Sequence, residues 1–281
     1  MKLSPISKYA RRETRVCLRH FKTHLRHASK HPEDPDAIHD LRVSIRRLTQ
    51  CFRIFRGLLR PGPVKELRRR LRAVMKQCGA VRNCDVALEL LQESGIATGA
   101  TVVKLRNKRE DAAGKLRRHL KKERRRRHPA LGAAVNRSGR GWQLDRTLED
   151  NLRVLLPALA EDFFQTGAAA TVAGASYASL HRFRLRAKRF RYTLERFERF
   201  YTSEMVRGAK DLKGLQDRLG AINDCVVTMD LLGRDRHATG VVGKLLHERK
   251  GAFQSYWRSR FAPSRLAWWK GWLARPVKDT S

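Results

Sequence analysis

Carboxylates are scarce in this sequence: 27 Asp and Glu stand against 62 Lys and Arg in 281 residues, a formal net charge of +35. No globular fold requires such an excess, and like-charge repulsion works against a compact state. A polyanionic partner would relieve it. Nucleic acid, an anionic membrane surface and inorganic polyphosphate all qualify, and composition does not choose among them. Long apolar runs are also missing. No stretch approaches the roughly 20 residues of a membrane span, and the opening MKLSPISKYARRETR lacks the apolar core of a secretory signal. The five cysteines, Cys17, Cys51, Cys78, Cys84 and Cys225, form no C-x-x-C pair. A disulfide framework is therefore not expected, and a reducing, cytoplasmic setting fits. Alternating period-2 runs are absent and Val and Ile are sparse, which argues against sheet. Neither a P-loop nor a G-x-G-x-x-G occurs.

What remains is helical spacing, with an apolar fraction of 41 % that suffices for a core. In Ile38 to Leu59, Leu41, Ile45, Leu48, Phe52, Phe55 and Leu59 recur every three or four residues, as one buried helical stripe requires. Pro35 and Asp36 precede it as start signals, and Pro61 to Pro63 (PGP) is expected to stop it. Further helices read as Ser7 to Ala28, Val64 to Gln92 with a kink at Gly79, and Thr101 to Arg127. Beyond NRSGRGWQ, the pattern continues over Leu144 to Gln165, Gly174 to Tyr201, Glu204 to Leu232 and Val241 to Phe261. The expected fold is all-α. Two four-helix bundles, 1–135 and 144–281, flank a linker at 136–143.

The halves repeat each other. IHDLRVSIRRLTQCF aligns with LHRFRLRAKRFRYTL, so that His39 meets His181, Arg42 meets Arg184, Arg46 meets Lys188 and Arg47 meets Arg189. CGAVRNCDVALELL then aligns with LGAINDCVVTMDLL, and KLRNKRED with KLLHERKG, pairing Arg109 with Arg249. Three blocks in one order indicate internal duplication, with the halves related by a pseudo-two-fold axis.

Placed on a helix at about 100° per residue, LHRFRLRAKRF separates into two faces. Arg184, Lys188 and Arg191 fall within about 80° of His181, with Arg189 on the flank. Phe183, Ala187, Phe190, Leu194, Phe197 and Tyr201 gather opposite. The first copy behaves alike: His39, Arg42, Arg46 and Arg53 form a stripe with Arg47 beside it. Only Asp40 and Glu195 approach these stripes as acids. An ordinary solvated face would interleave signs, because like charges three or four apart destabilise a helix. Arg offers a planar fork that matches phosphoryl oxygens and Lys a compact charge, so the chemistry suits phosphate. Val43 and Leu185 interrupt the basic face at equivalent positions, either packed or exposed.

These residues resemble the CHAD domain, an α-helical family named for its conserved histidines. The first match is His39-x-x-Arg42-Val43-x-x-Arg46-Arg47-Leu48. The second is His181-x-x-Arg184-x-x-x-Lys188-Arg189-Phe190-Arg191-Tyr192, followed by Leu212-Lys213-x-Leu215-Gln216-Asp217-x-Leu219-Gly220-x-x-Asn223-Asp224. The resemblance implies two four-helix bundles and binding of inorganic polyphosphate, in association with polyphosphate granules. It carries over His39, Arg42, Arg46, Arg47, His181, Arg184, Lys188 and Arg189 as ligands lining a groove or pore. Arg53, Arg191, Lys76 and Lys213 form a second tier. One departure is Asn83, where relatives carry Asp in L-G-x-x-R-D. Another is the absence of the E-x-E-x-K strand of the triphosphatase domain that accompanies many relatives. A non-catalytic binder without cofactor is expected. The alternative is a nonspecific nucleic-acid-binding protein using the same charge, and an enzyme acting on phosphate chains ranks third.

Other clusters read more plainly. His20, His24, His27 and His31 share one side of the first helix, but their basic neighbours favour a charged edge over a metal site. Lys115 to His128 is the most basic run and reads as a solvated helix end or disordered arm, with an extended polyanion track or nonspecific nucleic-acid binding as the alternatives. Having no aromatic residue, it does not favour base stacking. Asn83, Asp85, Asn223 and Asp224 read as helix caps following Gly79 and Gly220 rather than as magnesium ligands. The tail with Trp268, Trp269 and Trp272 is read as at least partly buried, with a membrane or partner contact as the alternative.

Overall fold

The computed structural model describes residues 5–96, 98–126, 142–172, 174–201 and 204–275, with backbone alone at 204–207. The basic residues Arg127 and His128, and 136–141 of the stretch read as a linker, lie outside them. The described helices are α1 (Pro5–Lys30), α2 (Pro35–Ile54), α3 (Pro61–Glu93), α4 (Ala100–Arg124), α5 (Leu148–Thr171), α6 (Tyr177–Arg196), α7 (Glu204–Leu232), α8 (Arg236–Arg260) and α9 (Pro263–Leu273). A single 3₁₀ turn, Glu198–Phe200, follows α6. The all-α expectation holds: no strand occurs among the described residues.

The chain divides into two compact units, Met1–Asp145 with Asp230–Ala238, and Arg146–Met229 with Thr239–Ser281. In the first, α1 packs on α2, α2 on α3, α3 on α4 and α4 back on α1, closing a four-helix ring. Its core is aliphatic and sulfur-rich, with Leu41, Leu48, Cys51, Phe52, Leu67, Val74, Cys78 and Leu116 at most 1 % exposed. In the second, α5 packs on α6 and α9. Tyr256 Oη of α8 donates to the Asp211 carbonyl of α7 at 3.1 Å. The core there is aromatic: Phe163 lies within ring contact of Phe183, Phe190, Trp257 and Phe261. Trp257 presses so close to α5 that a Cβ on Gly167 would sit 2.1 Å from its Cη2. Only glycine fits.

Several boundaries differ from the expectation, each for a local reason. The first basic helix ends at Ile54, not Leu59; Gly57 takes φ 96° in the turn that follows. Phe55, Leu58 and Leu59 are buried from that turn. The PGP does not merely stop a helix. It starts α3, with Pro61 at the first helical position, where its missing N–H costs nothing. Likewise α6 ends at Arg196, yet Phe197 and Tyr201 still turn inward. Both α3 and α7 run unbroken through Gly79 and Gly220, so the Asn and Asp residues there cap nothing. Trp142, at the end of the stretch read as a linker, is buried in the first unit. Its ring stacks on Phe55 at 5.7 Å and its Nε1 donates to the Ile54 carbonyl at 2.8 Å. The tryptophan tail forms α9, in which Trp269 is 1 % exposed against Phe190.

Candidate functional site

The first basic stripe is positioned by the start of α2. Pro35 pre-sets the first turn, and the Asp34 carboxylate accepts from Asp36 N at 2.9 Å. Burial of Leu41, Ile45, Leu48 and Phe52 then fixes the helix's rotation. His39, Arg47 and Arg53 consequently emerge exposed, with Arg42 and Arg46 half-buried between them. Lys76 is exposed on the neighbouring helix α3. Arg42 reaches that helix as well. Burial pushes the Cys78 thiol up to about 11, and the Arg42 charge beside it works in the opposite sense. Arg46 Nε is a buried donor with no hydrogen-bond acceptor among the described residues, as is Nε of Arg68 on α3. Buried donors ordinarily find partners, and a phosphoryl oxygen would supply one.

The second stripe is set in the same way. Ser176 Oγ accepts from Ser179 N at 3.2 Å to start α6, and Leu180, Phe183, Ala187, Phe190 and Leu194 face inward. His181 is exposed, while Arg184, Lys188, Arg189 and Arg191 are half-buried along the opposite side. Lys213 is exposed on α7. Two links hold α7 against the stripe: Tyr177 Oη donates to Asn223 Oδ1 at 3.2 Å, and Gln216 Nε2 donates to the Ala187 carbonyl at 2.9 Å. Arg191 is committed locally. Its Nε donates to Gln216 Oε1 at 2.8 Å, it pairs with Glu195, and its guanidinium lies over the Tyr192 ring. It positions the stripe more than it extends it. Of the two apolar interruptions, Leu185 is 48 % exposed and Val43 is half-buried.

Two of the residues read as caps, Asp85 and Asn223, bond to neighbouring helices instead. Asp85 accepts from Arg109 Nε at 2.5 Å. The aligned Arg249 donates to the Ala221 carbonyl at 3.0 Å and to Cys225 Sγ at 3.4 Å. All five cysteines are buried thiols, and burial raises Cys78, Cys84 and Cys225 alike. That environment suppresses thiolate, the nucleophilic form. In the histidine cluster, the His27 and His31 rings lie 4.9 Å apart, and His24 Nδ1 stands 3.8 Å from Asp40 Oδ2. No group of three or more His, Cys, Asp or Glu is placed to hold a metal among the described residues. No described helix is long and apolar enough to cross a membrane.

The basic run on α4 carries one residue that charge counting overlooks. Glu123, its only carboxylate, is buried and takes Nε and Nη2 of Arg70 on its Oε1 at 2.8 and 2.5 Å. Around it Arg117, Arg118, Lys121, Lys122, Arg124, Arg125 and Arg126 are exposed.

A family profile, that of the CHAD domain, matches residues 14–233 of this chain, and the chain belongs to the CHAD domain family. The match includes both stripes, Lys76 and Lys213. The crystal structure of the CHAD domain from the plant Ricinus communis superposes with a TM-score of 0.59 at 23 % identity, over 97 % of this chain and 94 % of that one. PptA from Streptomyces chartreusis superposes with a TM-score of 0.58 at 16 % identity, over 95 % and 100 % of the two chains. Identities this low bear on the fold alone. A search of curated proteins found no match.

Proposed function

We propose that the protein binds inorganic polyphosphate, without catalysis, through the basic stripes on α2 and α6. The carrying observation is that both stripes present a histidine followed by three cations at matching positions, each opposite a buried face and each nearly devoid of carboxylates. The ligands are His39, Arg42, Arg46 and Arg47 on α2, and His181, Arg184, Lys188 and Arg189 on α6. Arg53, Lys76 and Lys213 extend the surface. Membership of the CHAD family supports this ligand, and association with polyphosphate granules follows as an expectation. The matching order of three sequence blocks supports internal duplication as the origin of the two stripes. The inert thiols and the scattered carboxylates favour binding over phosphate-chain cleavage, which generally calls for clustered metal ligands.

Nonspecific nucleic-acid binding is the competing reading, because duplex DNA also rewards counterion release. A competition titration near physiological salt separates them, with labelled long-chain polyphosphate against duplex DNA. The stripe variant replaces Arg42, Arg46, Arg184 and Lys188 by Ala, and a run variant replaces Arg124, Arg125 and Arg126. Loss of even two charge-assisted hydrogen bonds is worth about 3 kcal/mol, roughly a hundredfold in affinity. The stripe variant should lose polyphosphate by at least that factor while the run variant stays near wild type. Equal competition by the two ligands, with both variants weakened alike, would sink the reading.

A further inference from the structure

The outer side of α1 carries a row that neither the stripes nor the histidine cluster accounts for. Lys8, Arg12, Arg15, Arg19, Lys22, Arg26 and Lys30 follow one another at intervals of four or three residues. That spacing holds them on one face of the helix for about 33 Å. All seven are exposed. None of them forms an ion pair among the described residues, and the only carboxylate of α1, Glu13, is half-buried off the row. The fold does not demand this arrangement. In α5, the first helix of the second unit, the exposed positions are Arg153, Val154, Ala158, Gln165, Ala168 and Ala169. Between the row and the α2 stripe stand His24 and Asp40, 3.8 Å apart, so a carboxylate interrupts the positive surface there.

The row's chemistry narrows its ligand. Membrane insertion would need apolar residues beside the cations, and the exposed neighbours are Pro5, His20, Thr23 and His27. Single-stranded nucleic acid would look for exposed aromatic rings, but Phe21 is buried and Tyr9 packs edge-on against Phe55. A rigid duplex carries its phosphates around a helix, so a straight row meets only part of them. A flexible, linear, base-free phosphate chain can follow the row from end to end.

We propose that the outer row of α1 is a second polyphosphate track, distinct from the α2 stripe, so that one molecule holds two chain segments and cross-links them. This inference rests on polyphosphate being the ligand of the stripes. Two tracks on one body raise avidity and let separate chains be bridged.

The test titrates long-chain polyphosphate into wild type, the stripe variant, a row variant (Arg12, Arg15, Arg19 and Lys22 to Gln) and a charge-matched control (Lys104, Arg106, Lys115 and Arg117 to Gln). Bound phosphate per protein and light scattering are both read. Glutamine keeps helix propensity, and circular dichroism confirms the fold. The row variant should bind about half as much phosphate at saturation and scatter at least tenfold less, while its tightest binding stays within threefold. The control should match wild type, and the stripe variant should keep a weaker uptake that adding the row substitutions abolishes. Unchanged uptake and scattering in the row variant overturns the second track. So does an equal loss in the control. A stripe variant indistinguishable from wild type would instead overturn the stripes as the primary site.

Discussion

Glu123 is the one fully buried carboxylate among the described residues. Arg70 and Glu123 are 6 % and 2 % exposed and joined through two N–H donors on one carboxylate oxygen. At an effective dielectric near 20, unit charges about 4 Å apart attract by about 4 kcal/mol, which offsets much of the desolvation of both ions. The balance is asymmetric. Glu123→Gln keeps the shape but leaves the Arg70 charge buried without its counter-ion, and should destabilise the first unit by about 3–5 kcal/mol. Replacing both, Arg70→Met with Glu123→Leu, removes the uncompensated ion and should return stability to within about 1 kcal/mol of wild type, or above it. Urea denaturation followed by far-UV circular dichroism measures both. A cost below about 1 kcal/mol for Glu123→Gln, or a double variant as unstable as the single, would refute the reasoning.

Two further outcomes follow from the cores. Cys78 titrates near 11 in the folded chain against an ordinary 9.0, because burial disfavours the thiolate. Its contribution is fully present below pH 9.0 and is lost as pH rises through about 11, on the order of 3 kcal/mol in all. The fall in stability across that window should be shallower in Cys78→Ala, as measured by denaturation at stepped pH. Gly167→Ala forces a methyl against the Trp257 ring, which Phe163, Phe164 and Phe261 already hold. It should cost about 1–3 kcal/mol and alter tryptophan fluorescence; a neutral outcome would show that the ring can yield.

The stripes were legible because a single helix determines them: charge and apolarity each follow its period, and no partner is needed to see which residues share a face. The same reasoning overran the helix ends. Phe55 and Phe197 keep the apolar rhythm after the backbone has left the helix, since a turn can bury a side chain as well as a helix can. Asn83 and Asn223 misled in the opposite way. Read locally they resemble caps beside glycine, but α3 and α7 continue through them, and Asn223 answers to Tyr177, forty-six positions away. Partnerships of that kind, including Arg191 with Gln216 and Arg70 with Glu123, leave no periodic trace. Helix α9 left only a start signal, Pro263 at its first position, because its tryptophan-dense stretch has little polar contrast between its faces.

The placement of Trp269 also has a consequence for the order of synthesis. Its ring meets Phe190, on the buried side of the helix that carries the second stripe. Helix α9 packs on α5, which ends at residue 171, whereas α9 begins at residue 263. During translation, α5 and α6 leave the ribosome with part of their apolar surface uncovered until α9 arrives. Joining α5 to α9 then closes a long loop late, with the entropic cost and slowness that distant contacts carry. The first unit has all four helices of its ring by residue 124. A nascent chain halted after α8 should therefore expose a finished α2 stripe and an unfinished α6 stripe.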